Sequence, residues 1–133
     1  MIEIEDVVAP LELCKKQGDH GIDFNDSAFV WFFNTKTVLE RRYALHHLAI
    51  CPAPTLQEIM EKLVSRGDVW CPEIQYIASK NFRPSQLHWC ARCRIQDRHK
   101  YLKRVGSWTK EYGKTAVEAG MKLLLKLGKK QQS

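Results

Sequence analysis

Residues 51–63 read CPAPTLQEIMEKL and contain the clearest local structural signal in the chain. Pro54 lacks an N–H and has a fixed φ, which suits the approach to a helix rather than its interior. Thr55 is a good N-cap, and Glu58 stands three residues later, so the two can form a capping box. Apolar residues follow at the spacing of one helical face: Leu56, Ile59, Met60 and Leu63. We therefore predict an amphipathic helix over residues 55–65.

A second capping signal lies 60 residues further along, where Thr115 is followed by Glu118. It predicts a last helix over residues 115–127. Both helices continue with a Lys-Leu pair at the same distance from the cap, and strand-like sequence precedes both. Two explanations stay open: a duplicated strands-then-helix unit, or two well-capped helices that look alike because capping rules generate the pattern.

The chain has 133 residues, the size of one domain, and we predict a single α+β domain over residues 1–133 with a frayed basic tail at 128–133. With 44% hydrophobic residues it can bury a core without disulfides or metal. No apolar run approaches the ~18 residues of a membrane-spanning helix, and the acidic N-terminus is unlike a secretory signal. Five irregularly spaced cysteines favour reduced thiols. We expect a cytoplasmic protein without a membrane partner.

Alternating and β-prone runs predict a mostly antiparallel sheet of about five strands, packed by about three helices, the first at residues 10–17. Residues 27–33 are apolar on both faces, which indicates a strand covered on both sides or by a partner subunit. A stacking platform for bases is the alternative, but no basic residue is interleaved there. The other expected strands are 40–50, 70–78, 86–96 and 99–105, the last two as a hairpin followed by a loop at 106–113. Pro72 places the start of its strand at a sheet edge or outside the ladder.

Charge is distributed unevenly along this basic chain, whose net charge is +6. Residues 1–79 carry 7 Lys and Arg against 12 Asp and Glu, a net of −5. Residues 80–133 carry 14 against 3, a net of +11. Such asymmetry favours an anionic partner for the second half. A solvated basic surface without a partner explains the same numbers, and this alternative stays open.

Basic residues concentrate in the predicted hairpin at 80–104, where aromatic residues are interleaved. Forked arginine side chains suit phosphate groups, and aromatic rings stack on bases. Alternation along the 86–96 strand turns Arg92 and Arg94 to its wet face. The residues that we predict to contact the ligand are Arg92, Arg94, Arg98, Lys100, Lys103 and Arg104, with His88 in a secondary role.

The spacing of Cys90 and Cys93 is compatible with a zinc site, for which Cys71 and His88 would be the further ligands. Structural zinc commonly takes four ligands from two paired knuckles, and only one such pair is present. In a strand the two paired cysteines would also lie on opposite faces, because their offset of three is odd. We therefore predict no metal and no cofactor, and keep these four residues as the alternative. P-loop, Rossmann, nucleophile-elbow and HExxH motifs are absent from the sequence, so we predict no catalytic residue and no enzyme activity.

The order of these features resembles that of small uncharacterised proteins encoded by phages and prophages. The resemblance covers about half of the chain and is carried by residues 11–16, 27–33, 53–63 and 113–123. It implies a compact α+β fold and transfers no catalytic residue. It also favours the roles of such proteins, which include binding nucleic acid, blocking a host protein or sequestering a host signalling nucleotide.

Together these patterns predict a non-enzymatic protein that binds a phosphate-bearing ligand, a nucleotide or nucleic acid, through the basic hairpin. The resemblance adds the expectation that binding counters a host defence inside the host cell. The alternative is a protein-interaction or inhibitor protein that acts on an acidic host protein surface without binding nucleotides. A homo-oligomer formed through the aromatic strand is compatible with either role.

Overall fold

The computed structural model describes residues 7–24, 26–32, 37–40, 49–77, 89–96 and 105–128. Its helices are α1 (Leu11–Cys14), α2 (Leu56–Ser65) and α3 (Ala116–Leu127). Its strands are β1 (Phe29–Phe32), β2 (Thr37–Glu40), β3 (Ala49–Pro52), β4 (Val69–Tyr76), β5 (Trp89–Gln96) and β6 (Val105–Gly113). These elements confirm the predicted α+β class. No helix in this part of the chain has the length and hydropathy needed to cross a lipid bilayer.

Within the described ranges the strands form two antiparallel sheets of three strands each, and this division was not predicted. The first has the order β2-β1-β3 and the second the order β4-β5-β6. β1 is central in the first sheet, where the adjacent residues Val30 and Trp31 are both buried. Because adjacent side chains point to opposite faces, this burial confirms that the aromatic strand is covered on both sides.

Both long helices begin where their capping residues predicted. The Thr55 hydroxyl accepts from the Glu58 amide at 3.3 Å, and the Glu58 carboxylate accepts from the Thr55 amide at 2.9 Å. At α3 the Thr115 hydroxyl likewise accepts from the Glu118 amide at 3.0 Å, but the Glu118 carboxylate accepts from the Lys114 amide at 2.8 Å. In the second cap the threonine bond is regular, and only the bond to the glutamate carboxylate comes from one residue earlier than in a regular capping box.

A single hydrophobic core joins the elements. α3 packs across one face of the second sheet, and α2 packs on α3 and β4. The most buried large side chains come from these two helices: Ile59, Leu63, Met121, Leu123 and Leu124. From the sheet, Ala91 and Cys93 of β5 reach the same core and are fully buried. The inner face of the second sheet is thus the face that α3 covers.

Several predicted boundaries are wrong. Residues 106–113 were predicted as a loop because glycines stand at both ends, yet they belong to β6, which pairs with the whole length of β5. α1 ends at Cys14 rather than at residue 17, because beyond it the amides of Lys16 and Gln17 donate to carbonyls three residues back, as in turns, instead of four. The predicted 40–50 strand is also wrong as one element, because Glu40 ends β2 and Ala49 begins β3, on opposite sides of β1. Its residues 41–48 lie outside the described residues. So do residues 99–104 and the tail at 129–133.

Glu58 also connects α2 to the segment that leads into β1, so its replacement tests how much this connection contributes to stability. Besides the Thr55 amide, its carboxylate accepts from the Ser27 hydroxyl at 3.1 Å and the Ala28 amide at 2.9 Å. We expect Glu58→Ala to lower the free energy of unfolding by about 2 kcal/mol, because hydrogen bonds to charged groups are among the stronger ones. Urea denaturation measures the loss. Glu61→Ala, an exposed glutamate one turn later, is the control, and equal losses in both variants would contradict this role of Glu58.

Candidate functional site

The second sheet has a face that α3 does not cover, and we call it the outer face. Since Ala91 and Cys93 point into the core, the alternate residues of β5 lie on this opposite side. Residues paired across an antiparallel sheet share a face, so the strand register defines rows of neighbouring side chains. The three rows are Gln75–Cys90–Tyr112, Glu73–Arg92–Lys110 and Trp70–Arg94–Trp108.

Arg92 is held at the centre of the outer face by three neighbours. Its Nε donates to Glu73 Oε1 at 2.6 Å. With the Gln75 side-chain oxygen turned toward it, that oxygen accepts from Arg92 Nε at 2.8 Å and from Nη2 at 3.0 Å. The guanidinium carbon also lies 4.2 Å from the centroid of the Trp108 ring. One edge of the guanidinium is thus occupied, while the described residues provide no hydrogen-bond acceptor for Nη1.

Arg94 lies beside the same tryptophan. Its guanidinium carbon is 4.6 Å from the Trp108 centroid, a distance at which cation–π attraction contributes about 0.5–2 kcal/mol. Its Nε is buried and has no hydrogen-bond partner among the described residues. Stacking on Trp108, rather than hydrogen bonding at Nε, therefore fixes this side chain. One ring positions both arginines.

A β-bulge brings a further aromatic residue to the outer face. Trp70 pairs with Arg94, and Glu73 pairs with Arg92. Between these two pairs β4 contains one residue more than β5. The extra length includes Cys71, whose φ of 51° costs a non-glycine residue about 1–2 kcal/mol. Without the bulge, Trp70 and Glu73 would lie on opposite faces, because their offset is odd. Among the described strands β4 lies at the edge of its sheet, which is one of the two positions that Pro72 predicted for the start of this strand.

The cysteines of the alternative zinc set are separated by the sheet. β5 runs unbroken through Cys90 and Cys93, which places Cys90 on the outer face and Cys93 in the core. Burial raises the pKa of both thiols, which favours the protonated form over the thiolate that binds metal. Cys71 is exposed on β4. Within the described ranges, no three His, Cys, Asp or Glu side chains are grouped closely enough to hold a metal ion.

Two of the predicted ligand-contacting residues are brought together, namely Arg92 and Arg94. The others lie outside the described residues: His88, Arg98, Lys100, Lys103 and Arg104. Sequence reasoning missed the residues that β6 adds to the outer face, Trp108, Lys110 and Tyr112. Their alternation with Thr109 and Glu111 is a strand signal, but the neighbouring glycines led to a loop prediction.

Electrostatics distinguish the outer face from the surface beside α2. A cavity of about 310 Å³ there is lined by Asp23, Asp26, Glu58 and Glu61, and among the described residues of its lining Lys62 is the one basic side chain. Such a concentration of carboxylates repels phosphate. The rows of the outer face contain Arg92, Arg94 and Lys110 against Glu73 alone. Of these two surfaces, the outer face is the one suited to an anion.

No protein-family model, no curated protein and no solved structure matches this chain. The resemblance to phage proteins therefore stays a prediction from the sequence. What the protein binds has to be inferred from the chemistry of its own side chains, and the outer face is where cationic and aromatic groups meet.

Proposed function

We propose that this protein is a non-enzymatic binding protein for a phosphate-bearing ligand, a nucleotide or nucleic acid, and that Arg92 and Arg94 contact the phosphate. The main support is the contact of both guanidiniums with the Trp108 ring, at 4.2 and 4.6 Å from its centroid. Side chains that are already fixed lose less conformational entropy when a ligand binds. The two arginine side chains are therefore preorganised for binding an anion.

The hydrogen bonds of Arg92 support the same role. Glu73 and Gln75 occupy Nε and Nη2, which turns the planar fork, and among the described residues the Nη1 donors have no acceptor and are the ones that we assign to a ligand oxygen. Lys110, exposed in the same row, adds a third positive charge. Glu73 partly neutralises Arg92, so we expect moderate affinity that falls as salt concentration rises.

The test is a titration of three fluorescein-labelled probes, followed by fluorescence anisotropy at low salt: an ATP analogue, a short single strand and a duplex of the same length. We expect at least one probe to bind wild type. Arg92→Gln/Arg94→Gln should weaken its binding by about tenfold to a hundredfold, because two charge-assisted contacts are lost. The slope of log K against log salt should also fall, by about 1.4 for a single strand and about 1.8 for a duplex.

The matched control is Lys15→Gln/Lys16→Gln, which removes the same charge from exposed lysines outside this sheet. It should leave affinity nearly unchanged. Equal weakening in both double variants would mean that only overall charge matters, and would refute a site on the outer face. Thermal unfolding of each variant ensures that lost binding does not reflect lost structure.

Glu73→Gln provides a test in the opposite direction. Removing this carboxylate frees Arg92 from its ion pair, so phosphate affinity should rise by a few fold. The alternative role on an acidic protein surface would use the same cations. It predicts that none of the three probes binds wild type, and that outcome would replace the proposed ligand class by a protein.

A further inference from the structure

Two exposed aromatic rings stand at opposite corners of the outer face. Trp70 is 43% exposed and Tyr112 is 40% exposed. Their rows are centred on Arg94 and Cys90, four residues apart on β5, which is roughly 13 Å along the strand. They also lie on the two edge strands, about 10 Å apart across the sheet, so about 16 Å separates them. The row of Arg92 and Lys110 lies between them.

We infer, on the basis of the phosphate-binding role proposed above, that the ligand is a single strand of nucleic acid whose bases stack on Trp70 and Tyr112 while its phosphates contact Arg92 and Arg94. One base cannot reach both rings. A duplex keeps its bases stacked on one another, whereas a single strand presents their faces to aromatic side chains. At about 3.4 Å per stacked nucleotide, about five nucleotides span the distance between the rings.

The bulge in β4 explains how Trp70 reaches the outer face. It moves Trp70 to the outer face and retains a non-glycine residue, Cys71, at a positive φ. Bulges recur next to functional sites, where they re-aim a side chain. Here the re-aimed side chain is a large aromatic ring placed beside Arg94, which is the combination that single-strand binding uses.

Trp108 has a different role from the two exposed rings. Both guanidiniums lie against it, so it is a positioning residue for the arginines. We assign Trp108 to the positioning of the arginines, and Trp70 and Tyr112 to stacking with bases. This division predicts separate effects for variants of Trp108, which change charge placement, and variants of Trp70 or Tyr112, which change stacking.

The experiment measures the affinity of labelled oligo(dT) of about twelve nucleotides, a length within the range of single-strand sites. A duplex of the same length and unlabelled thymidine monophosphate are the comparison ligands. We expect the single strand to bind about tenfold more tightly than the duplex, and the monophosphate to bind at least about a hundredfold more weakly. Trp70→Leu and Tyr112→Leu should each weaken oligo(dT) binding by about tenfold.

Tyr76→Leu is the matched control. Tyr76 is 57% exposed in the same sheet, but it packs edge-on against Trp89 at 5.3 Å on the inner side. Its replacement should leave oligo(dT) affinity unchanged. Equal weakening by Tyr76→Leu and Tyr112→Leu would overturn the assignment of stacking to the outer face.

The outcomes separate this inference from the proposed function. If Arg92→Gln/Arg94→Gln weakens binding but Trp70→Leu and Tyr112→Leu do not, phosphate binding stands and base stacking is refuted. Tighter binding of the duplex or of the monophosphate than of oligo(dT) refutes the single strand in the same way. If Arg92→Gln/Arg94→Gln binds oligo(dT) as tightly as wild type does, both the proposed function and the inference are refuted.

Discussion

Replacing Gly113 by alanine should lower the free energy of unfolding by about 3 kcal/mol. Gly113 ends β6, where the strand passes against the first turn of α3. A Cβ at this position would lie 2.6 Å from the Ala119 backbone nitrogen, 3.1 Å from its Cα and 3.0 Å from Glu118 Cβ. Because the closest of these atoms is backbone, no side-chain rotation relieves the contact. The helix and the sheet must separate, which loosens the core between them.

Gly18→Ala is the control for this prediction. A Cβ at Gly18 has no neighbour within 4 Å, so the substitution should change stability by less than about 1 kcal/mol. Urea denaturation of both variants gives the comparison. A loss at Gly113 no larger than that at Gly18 would show that α3 can move away from β6 without cost, and would contradict the close packing described above.

Trp31→Ala should lower the free energy of unfolding by about 3–5 kcal/mol. The side chain is 5% exposed on the central strand of the first sheet, and its indole Nε1 donates to the Ala9 carbonyl at 3.0 Å. The alanine therefore leaves a cavity and removes the link to the N-terminal segment. Cys14 Sγ donates to the same carbonyl at 3.4 Å, so this oxygen keeps one partner.

A second variant separates the two contributions of Trp31. Trp31→Phe keeps an aromatic ring but lacks the N–H, and should cost about 1–2 kcal/mol. Trp70→Leu, the variant used for binding, serves as the exposed control and should cost less than about 1 kcal/mol. Urea denaturation followed by far-UV circular dichroism measures all three. Similar losses in Trp31→Phe and Trp31→Ala would assign the effect to the hydrogen bond rather than to packing.

Features with a local cause could be predicted from the sequence. The cap formed by Thr55 and Glu58 depends on residues three apart, so it is visible in the sequence alone. The common face of Arg92 and Arg94 likewise follows from alternation within one strand. These two predictions gave the start of α2 and the centre of the outer face.

Features that depend on pairing between distant segments could not be predicted. β6 forms because Trp108 and its neighbours find partners on β5, and this pairing outweighs the weak strand propensity of the glycines at its ends. The place of Trp70 depends on a bulge that only the register with β5 reveals, although a proline inside a strand is a hint of one. The ion pair of Arg92 with Glu73 joins residues 19 positions apart and has no local signature.

The alternation of β5 also links the core of the protein to the charges on its outer face. Ala91 and Cys93 belong to the core, whereas Arg92 and Arg94 belong to the outer face, and the four residues are consecutive. A slip of one residue in the pairing of β5 would turn both guanidiniums inward and both core residues outward. A misregistered molecule would bury two charges without compensation and would be strongly disfavoured. The register that builds the core is therefore the same one that turns both guanidiniums to the outer face, so packing of Ala91 and Cys93 selects the charge pattern of that surface.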